Sequence, residues 1–273
     1  MTASAPRLQW QFQLLDLKPP SRPQPILVPP PPVVDPGQSE AVRKLRASLD
    51  GSLAARVTSA TELIGALDRK RREESIPTTL ASLDTLLGGG LQRGKVVEIA
   101  ARWASGRFSI VLSALTAATT MGEAAALIDL GDHFDPQLAE ADGVDLKRLL
   151  WIRPHTMKEA VMAAEMITAT GFQLVVLELG LHPLRGKRAP DAAWVRLART
   201  AEAHGTAMLV SSPYPVTGTM SEAVVKGGAT RAKWLGQGVA PRLLAGVKSS
   251  FTLEKHRHRK PGAAASLELR TES

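Results

Sequence analysis

The sequence predicts an α/β protein with a mostly parallel sheet flanked by helices. From Ile76 onward, short β-rich runs alternate with helical stretches, which is the order that a parallel sheet with crossover helices requires. Capping residues and glycine stops stand where the helical periodicity begins and ends. Residues 76–273 are therefore expected to form one core domain with a basic C-terminal segment.

The first part of this domain contains five predicted strands and three predicted helices. Thr156 and Glu159 form a capping box for the second helix, and Asp191 is expected to cap the third. The strands are predicted at Val96–Ala100, Ala124–Asp129, Leu149–Arg153, Leu174–Leu179 and Ala207–Ser211. The helices are predicted at Ser105–Met121, Met157–Thr170 and Asp191–His204. Beyond Ser212 a glycine-rich basic loop is expected, followed by strands near Ser249–Lys255 and Ala264–Leu269.

Residues 1–75 are expected to lie outside the sheet. More than half of the nineteen prolines fall in residues 1–36, and proline removes a backbone donor, so residues 1–38 are predicted to be a disordered proline-rich tail. Residues 39–75 show apolar residues at helical spacing and are predicted to be a helical N-terminal arm. In the tail, Gln13 to Leu17 is weakly similar to peptides that dock on the sliding clamp.

Composition excludes several classes of function. The chain has no cysteine and six scattered histidines, which excludes disulfides and thiolate metal sites and leaves no zinc-ligand spacing. No apolar run reaches about 18 residues, and no signal-peptide pattern opens the chain. A cytoplasmic protein without a metal or a membrane contact is expected.

The positive charge is concentrated near the C-terminus. The formal net charge is +8, and residues 226–260 contain nine basic side chains against the single acid Glu254. A polyanion is therefore expected to meet the C-terminal quarter, and nucleic acid is the natural candidate.

One apparent phosphate loop is rejected on topology. Gly89-x₄-Gly94-Lys95 matches most of the motif, but a phosphate loop lies between a strand and a helix N-terminus, whereas Lys95 begins a predicted strand. Val96 also replaces the metal-binding hydroxyl. The stretch is predicted to be a glycine-rich turn.

The position required for a phosphate loop follows strand Val96–Ala100, and here a family resemblance enters. In chain order its landmarks are Ile76-Pro77-Thr78, Leu83-Asp84, Gly88-Gly89-Gly90-Leu91 with Gly94, Leu127-Ile128-Asp129, Phe134-Asp135-Pro136, and Gly143-Val144-Asp145-Leu146 with Leu149-Leu150. This series resembles the RecA recombinase family over residues 76–269. The resemblance implies a RecA-like core with its phosphate loop (Walker A) at Ala101, Ser105, Gly106, Arg107, Phe108 and Ser109.

The loop departs from the family pattern at its chemical positions. Ala101 replaces the first glycine, Arg107 the phosphate-binding lysine, and Phe108 the hydroxyl residue that binds Mg²⁺. Arginine differs in shape from an ammonium group, and phenylalanine offers no oxygen to a metal. The loop is therefore expected to be degenerate and the protein to work without ATP, Mg²⁺ or another cofactor.

Two acidic positions bear on the same question. The strand-end acid that assists the metal corresponds to Glu178, and the water-activating glutamate corresponds to Gly131, with Asp132 beside it. The alternative is thus a DNA-dependent ATPase of the RecA family. It would use Arg107 on the phosphates, Ser109 or water on Mg²⁺, Glu178 to orient the metal and Asp132 as the base.

A shortened core with an eroded loop is similar to the ImuA proteins of bacterial damage-induced mutagenesis. That resemblance implies a non-catalytic accessory of the SOS response that supports error-prone translesion synthesis. The implied partners are single-stranded DNA, RecA, an ImuB-like polymerase relative, an alternative replicative polymerase subunit and possible self-association through the arm. The arm's apolar face can equally fold back on its own core.

The basic segment supplies the candidate DNA contacts. In RecA-like proteins the stretch after the fifth core strand is a mobile DNA-lining loop, and Pro213–Gly238 holds that position. Its cations are expected to bind phosphates and Trp234 to stack on a base. The candidate residues are Lys226, Arg231, Lys233, Trp234, Lys255, Arg257, Arg259 and Lys260. A solvated loop with Trp234 packed on the core, and a solvated basic strand whose pleat puts Lys255, Arg257 and Arg259 on one face, stay open as alternatives.

Overall fold

The computed structural model describes residues 74–102, 104–180, 189–236 and 242–270, together with Ala47. The predicted tail, nearly all of the predicted arm and the clamp-like motif from Gln13 to Leu17 lie outside the described residues. Their predictions stay untested.

The described residues form ten strands and five α-helices around one large sheet. In chain order these are β1 (Ser75–Ile76), α1 (Ala81–Leu87), β2 (Leu91–Gln92), β3 (Val96–Ala100), α2 (Arg107–Thr120), β4 (Ala125–Asp129), α3 (Pro136–Ala141), β5 (Leu149–Ile152), α4 (Met157–Thr168), β6 (Leu174–Glu178), α5 (Asp191–His204), β7 (Ala207–Ser212), β8 (Ala223–Leu235), β9 (Leu243–His256) and β10 (Ala264–Arg270). A short 3₁₀ turn at Leu146–Arg148 precedes β5.

The large sheet is mostly parallel. Its strand order is β10-β9-β8-β3-β7-β6-β4-β5, and β1 with β2 forms a separate antiparallel pair. The strands from β8 to β5 pair in parallel, while β9 and β10 add an antiparallel edge. The predicted α/β class with a parallel sheet and flanking helices is confirmed.

Two apolar layers sandwich the sheet. Helices α1 and α2 pack one face through Leu83 and Ile110, and helices α4 and α5 pack the other through Val161 and Trp194. Every residue of β3, β4, β6 and β7 is buried, because a parallel strand covered on both faces needs a continuous apolar run. This arrangement brings the carboxyl ends of β3, β6 and β7 together at one edge.

The opening motif of the core is explained by one carboxylate. Asp84 accepts hydrogen bonds from the Thr78 backbone nitrogen at 2.9 Å and the Thr78 hydroxyl at 2.7 Å. Gly90 has a φ of 120°, and a Cβ there would lie 2.3 Å from the Ile76 carbonyl oxygen. The glycine-rich turn therefore fits closely against β1 and leads into β3, as predicted, and it is no phosphate loop.

The predicted strands and helices before Ser212 are confirmed with small shifts of boundary, but the cap at Asp191 is wrong. The N-cap residue of α5 is Pro190, whose side chain makes no capping hydrogen bond. Asp191 is the first residue of the helix itself. Its charge still lies in the first turn, where the helix dipole favours an acid. Gly205, at φ 68°, ends the helix as predicted.

The predicted loop at Pro213–Gly238 is also wrong, because half of it, Ala223–Leu235, is strand. β8 begins at Ala223, completes the parallel sheet beside β3 through Lys226, and continues to Leu235 paired only with β9. Its outer half is exposed, so backbone pairing and not side-chain burial holds it, and no apolar alternation marks it in the sequence.

Within the described ranges, no helix has the length and apolarity needed to cross a bilayer.

Candidate functional site

The turn between β3 and α2 occupies the carboxyl-end position where parallel α/β sheets bind ligands. Gly106, the N-cap residue of α2, has a φ of 80°, and Ala104 has a φ of 58°. The Ser105 hydroxyl accepts a hydrogen bond from the Arg107 backbone nitrogen at 3.3 Å. The backbone therefore keeps the course of a strand–turn–helix loop although its side chains differ.

Ala101 fills space that a phosphate loop leaves open. Its side chain is buried, and it lies against Gly227 of β8. A Cβ at Gly227 would lie only 2.3 Å from the Ala101 Cβ. The methyl group at residue 101 is thus accommodated by the missing side chain at residue 227, and the two strands close against each other here.

Arg107 turns into the protein, away from the loop. Its side chain is 2% exposed, and its Nη1 donates to both carboxylate oxygens of Glu178, at 2.9 and 3.1 Å. The same nitrogen donates to the Ser211 hydroxyl at 2.5 Å, and Nη2 donates to the Gly180 carbonyl oxygen. The guanidinium therefore joins the start of α2 to the ends of β6 and β7.

Burial is the main electrostatic influence on this pair. Loss of hydration raises the pKa of Glu178 to about 7, although Arg107, Ser211 and the Gly180 backbone nitrogen oppose the rise by stabilising the carboxylate. Burial also lowers the pKa of Arg107. Arg107 and Glu178 thus each offset most of the hydration that the other loses on burial.

These side chains do not fit a nucleotide with Mg²⁺. The guanidinium covers the Glu178 carboxylate, and Phe108 packs against the core beneath α2. Ser109 is half-buried on the same helix. Among the residues that the structure describes, no group of three or more histidine or acidic side chains is placed to hold a metal.

The proposed catalytic base is engaged elsewhere. Asp132 accepts two hydrogen bonds from Arg153, at 2.6 and 2.7 Å, and this pairing lowers its pKa. Arg153 also lies over the Trp151 ring, at 4.9 Å from the centroid. At Gly131 a Cβ would come within 2.6 Å of the Gly180 Cα, so a glutamate cannot stand there without movement. Sequence reasoning missed Arg153, which carries no motif.

A buried carboxylate fixes the segment that follows β7. Glu98 is fully buried and accepts hydrogen bonds from the Val216 backbone nitrogen at 2.6 Å, the Thr217 backbone nitrogen at 3.2 Å and the Thr217 hydroxyl. Lys255 holds the same segment from the other side by donating to the Gly218 and Ser221 carbonyl oxygens. The start of the predicted mobile loop is therefore tied down, and sequence reasoning missed Glu98.

The outer part of β8 and its partners form an exposed cationic ribbon, defined by Lys226, Arg231, Lys233 and Lys248. Cross-strand pairing places these residues on one face, with Arg231 directly opposite Lys248. Lys226 pairs with Glu254 and Lys233 with Glu268. On its other side, Lys248 lies opposite Glu268 of β10. Arg231 and Lys248 are like charges on neighbouring strands, an arrangement that a bound anion stabilises.

Trp234 lies at the end of this ribbon. Its side chain is 53% exposed, so the alternative in which it packs on the core is wrong. The pairing of β8 with β9 shifts register between Lys233 and Trp234, and Trp234 lies opposite Leu244. The ring is therefore an exposed aromatic surface next to the last cation of the ribbon.

The remaining candidate cations lie at the opposite end of the sheet. Lys248 and His256 lie eight positions apart along β9, a distance of about 26 Å. The predicted pleat over Lys255, Arg257 and Arg259 is wrong, because β9 ends at His256. Arg259 caps α1 by donating to the Thr85 and Leu86 carbonyl oxygens.

Two further candidate cations, Arg257 and Lys260, lie at this same end of the sheet. Arg257 lies 3.7 Å from the buried Glu222 carboxylate, whereas Lys260 is exposed. The basic residues of the segment are therefore spread along β8 and β9, with Lys226 opposite Thr252, midway between Lys248 and His256.

Comparisons with known proteins agree with this geometry. Residues 58–180 match the family model described as the RecA N-terminal domain. The chain is 40% identical over 107 residues to Protein RecA of Saccharopolyspora erythraea, covering 38% of this chain and 31% of that protein. It is 41% identical over 99 residues to Protein RecA of Clostridium acetobutylicum, covering 36% and 28%. The crystal structure of the RadB recombinase matches with a TM-score of 0.53 at 21% identity, covering 71% of this chain and 95% of that one. The core is RecA-like.

The RecA-like core spans about a third of the length of the curated relatives that it matches. The matched residues include the opening motif, the β3–α2 turn and the Glu178 position. The resemblance to the RecA family is thus confirmed for the fold and the superfamily. The departures at Ala101, Arg107 and Phe108 lie inside the matched region.

Proposed function

We propose that this RecA-like protein is a non-catalytic, DNA-binding accessory of the bacterial SOS response to DNA damage. In this proposal it resembles ImuA and supports error-prone translesion synthesis. It contacts single-stranded DNA, RecA, an ImuB-like polymerase relative and an alternative replicative polymerase subunit, in the cytoplasm at the nucleoid. Its similarity to proteins named RecA and to a recombinase supports a role in DNA repair.

The observation that carries the proposal is the burial of Arg107 on Glu178. A nucleotide-dependent RecA-like protein needs its phosphate-binding side chain facing the loop and its strand-end carboxylate free for the metal. Here the two side chains bind each other, at 2.9 Å. Opening the site would leave a buried carboxylate without a partner, which is costly. A function by binding is therefore favoured over one by hydrolysis.

The cationic ribbon supports DNA as the ligand. Its cations are exposed, and Arg231 and Lys248 lie opposite each other on neighbouring strands, an arrangement that a bridging phosphate stabilises. The exposed ring of Trp234 offers a surface on which a base can stack. The proposed contacts are Lys226, Arg231, Lys233 and Trp234 from the sequence, with Lys248 added from the structure.

The test is fluorescence anisotropy with labelled single-stranded DNA over a salt series, with and without ATP and Mg²⁺. We expect binding that weakens steeply with salt and does not change with ATP. Binding that requires ATP would favour the alternative, a DNA-dependent ATPase of the RecA family. Absence of binding under both conditions would contradict DNA as the ligand.

The RecA contact is tested separately with purified RecA. The full chain and a variant with Lys226, Arg231 and Lys233 changed to alanine are compared for RecA binding in the absence of DNA. We expect both proteins to bind RecA, since the proposed contact uses protein surfaces. Loss of binding in the variant would show that the cationic ribbon, and not a RecA-type surface, makes the contact.

A further inference from the structure

The guanidinium of Arg107 lies in a cage of oxygen atoms. The cage consists of both carboxylate oxygens of Glu178, the hydroxyl of Ser211 and the carbonyl oxygen of Gly180. These atoms come from β6, β7 and the turn after β6, and all of them accept hydrogen bonds from the arginine. Oxygen atoms that include one carboxylate are the kind of ligands that bind a cation in proteins.

The cage is held by contacts other than those to Arg107. The Gly180 backbone nitrogen donates to Glu178 Oε1 at 3.0 Å, and Ser211 is a buried residue within β7, which pairs with β3 and β6. Gly180 packs against Gly131, since a Cβ at Gly180 would lie 3.4 Å from the Gly131 Cα. Removal of the arginine side chain therefore leaves the oxygen atoms close to their present positions.

We infer that this cage is a cation site of the protein, and that Arg107 is its permanent internal ligand. The side chain of residue 107 reaches from the first turn of α2 and fastens the ends of β6 and β7 with four hydrogen bonds. The cation arrives with the folded chain, so the site needs no free ion. Arg107 is a positioning residue in this role, because it holds the carboxyl ends of the strands together.

The shape of the cage favours a planar cation. Arg107 uses two of its three nitrogens on four acceptors, whereas Nε is buried and has no hydrogen-bond partner among the described residues. Nη1 faces both Glu178 oxygens and the Ser211 hydroxyl, and Nη2 faces the Gly180 carbonyl oxygen, so two nitrogens of one planar group reach all four acceptors, which a single ammonium nitrogen does not. The ligand class for an emptied site is therefore a small guanidinium compound.

Chemical rescue tests the inference with the full chain. The variant Arg107→Ala is melted with and without millimolar methylguanidinium, which is the side-chain head group without its stem. At about five times its Kd, methylguanidinium is expected to raise the melting temperature of this variant by about 2–4 °C, with saturation. The wild-type protein is expected not to respond, because its site is filled.

Two matched controls separate the site from general effects of the salt. Arg153→Ala removes an exposed arginine that also pairs with a carboxylate, and it is expected not to respond. Arg107→Ala combined with Glu178→Ala removes the anionic wall, and its response is expected to disappear. No rise in Arg107→Ala, or an equal rise in either control, would overturn the inference. A rise with Mg²⁺ but not with methylguanidinium would overturn the assignment to a planar cation.

The inference shares its site with the proposed loss of nucleotide use, but its readout does not involve DNA. Failure of DNA binding would leave the melting result unchanged, and failure of rescue would leave the DNA titration unchanged. If Arg107→Ala is recovered only as unfolded protein, its refolding yield is measured with and without methylguanidinium. An unchanged yield would likewise contradict the site.

Discussion

At the scale of single residues, one substitution in the β3–α2 turn changes the use of a whole site. A lysine at residue 107 would extend its ammonium toward a phosphate, whereas the arginine present here reaches Glu178, Ser211 and Gly180. The resulting ion pair is buried, so each partner loses hydration and depends on the other. The contribution of the pair to the free energy of unfolding is therefore seen when one partner is removed.

We expect Glu178→Gln to lower the free energy of unfolding by about 3–5 kcal/mol, because it leaves the buried Arg107 without a counter-charge. Urea unfolding measures the change. The matched control is Glu202→Gln, which breaks the exposed pair with Lys95 and is expected to cost less than about 1 kcal/mol. The double variant Arg107→Met with Glu178→Leu is expected to recover most of the loss. Equal costs for Glu178→Gln and Glu202→Gln would contradict this account.

His256 gives the stability a pH dependence. Its Nδ1 accepts a hydrogen bond from the His258 backbone nitrogen at 3.1 Å, and its Nε2 faces the Leu87 carbonyl oxygen at 3.4 Å. This arrangement needs the neutral ring, and burial lowers the pKa of His256 below its usual 6.5. The unfolded chain therefore binds a proton first as the pH falls.

Because the raised pKa of Glu178, about 7, acts in the opposite direction over this pH range, the contribution of His256 is the difference between the wild type and His256→Gln. We expect this contribution to the free energy of unfolding to fall as the pH drops below 6.5 toward the lowered pKa of folded His256, and to be recovered above 6.5. The sign follows because the unfolded state binds more protons in this window. Denaturant unfolding between pH 5 and pH 7.5 measures the effect, with His256→Gln as the comparison. A variant with the same pH dependence as the wild type would assign the effect to another group.

At the scale of elements, the β8–β9 ribbon combines two functions in one strand. Ala223 to Val225 complete the core sheet beside β3, whereas the residues beyond Lys226 are exposed and pair only with β9. The ribbon therefore places its cations on a defined sheet face. On this face Arg231 and Lys248 lie opposite each other, and two facing cations favour an anionic ligand.

We expect Arg231→Ala and Lys248→Ala each to reduce the slope of log affinity for single-stranded DNA against log salt by about 0.7. Stability is expected to change by less than about 0.5 kcal/mol, since neither side chain is buried. Anisotropy over a salt series measures the slopes, and Lys158→Ala, an exposed lysine on α4, is the control. Slopes unchanged from the wild type would exclude the ribbon as the phosphate-binding surface.

At the other end of the sheet, a change at Arg259 is expected to lower stability and to leave DNA binding unchanged. Arg259 caps α1 and lies against Gly88, so Arg259→Met is expected to lower the free energy of unfolding by about 0.5–1.5 kcal/mol. The salt slope of DNA binding is expected to stay at its wild-type value. Thermal melting and the anisotropy series are compared for the same preparation. A reduced slope at full stability would return Arg259 to the DNA-binding surface.

At the scale of the whole molecule, the RecA-like core keeps its architecture without the side chains for phosphate and metal. The strand ends that would meet a nucleotide are joined by Arg107, and the segment after β7 is held by Glu98 and Lys255. These contacts exist in the chain by itself. The folded state should therefore not be coupled to nucleotide concentration.

We expect millimolar ATP with Mg²⁺ to leave the melting temperature unchanged, because a ligand stabilises a protein only by binding its native state. Differential scanning fluorimetry measures this, with an ATP-binding RecA protein as the positive control. A rise of several degrees would demonstrate a nucleotide site and support the ATPase alternative.

The sequence by itself determined the parallel sheet, most helix boundaries and the resemblance to the RecA family. These follow from local signals: apolar runs for buried strands, glycine stops after α5 and other helices, and a motif order that needs no contacts to recognise. The eroded positions Ala101, Arg107 and Phe108 were also visible, since each is defined by its place between a strand and a helix.

Only the tertiary structure decided how those residues are used. The partners of Arg107 lie 71 and 104 residues away, and no local pattern encodes such distances. Asp132 pairs with Arg153 and Glu98 with Thr217 for the same reason. The basic segment is continuous in sequence, but β9 places Lys248 and His256 about 26 Å apart, and strand pairing returns Lys226 to Thr252, midway between them. Long-range strand pairing, which composition does not encode, therefore sets where the charges lie on the sheet.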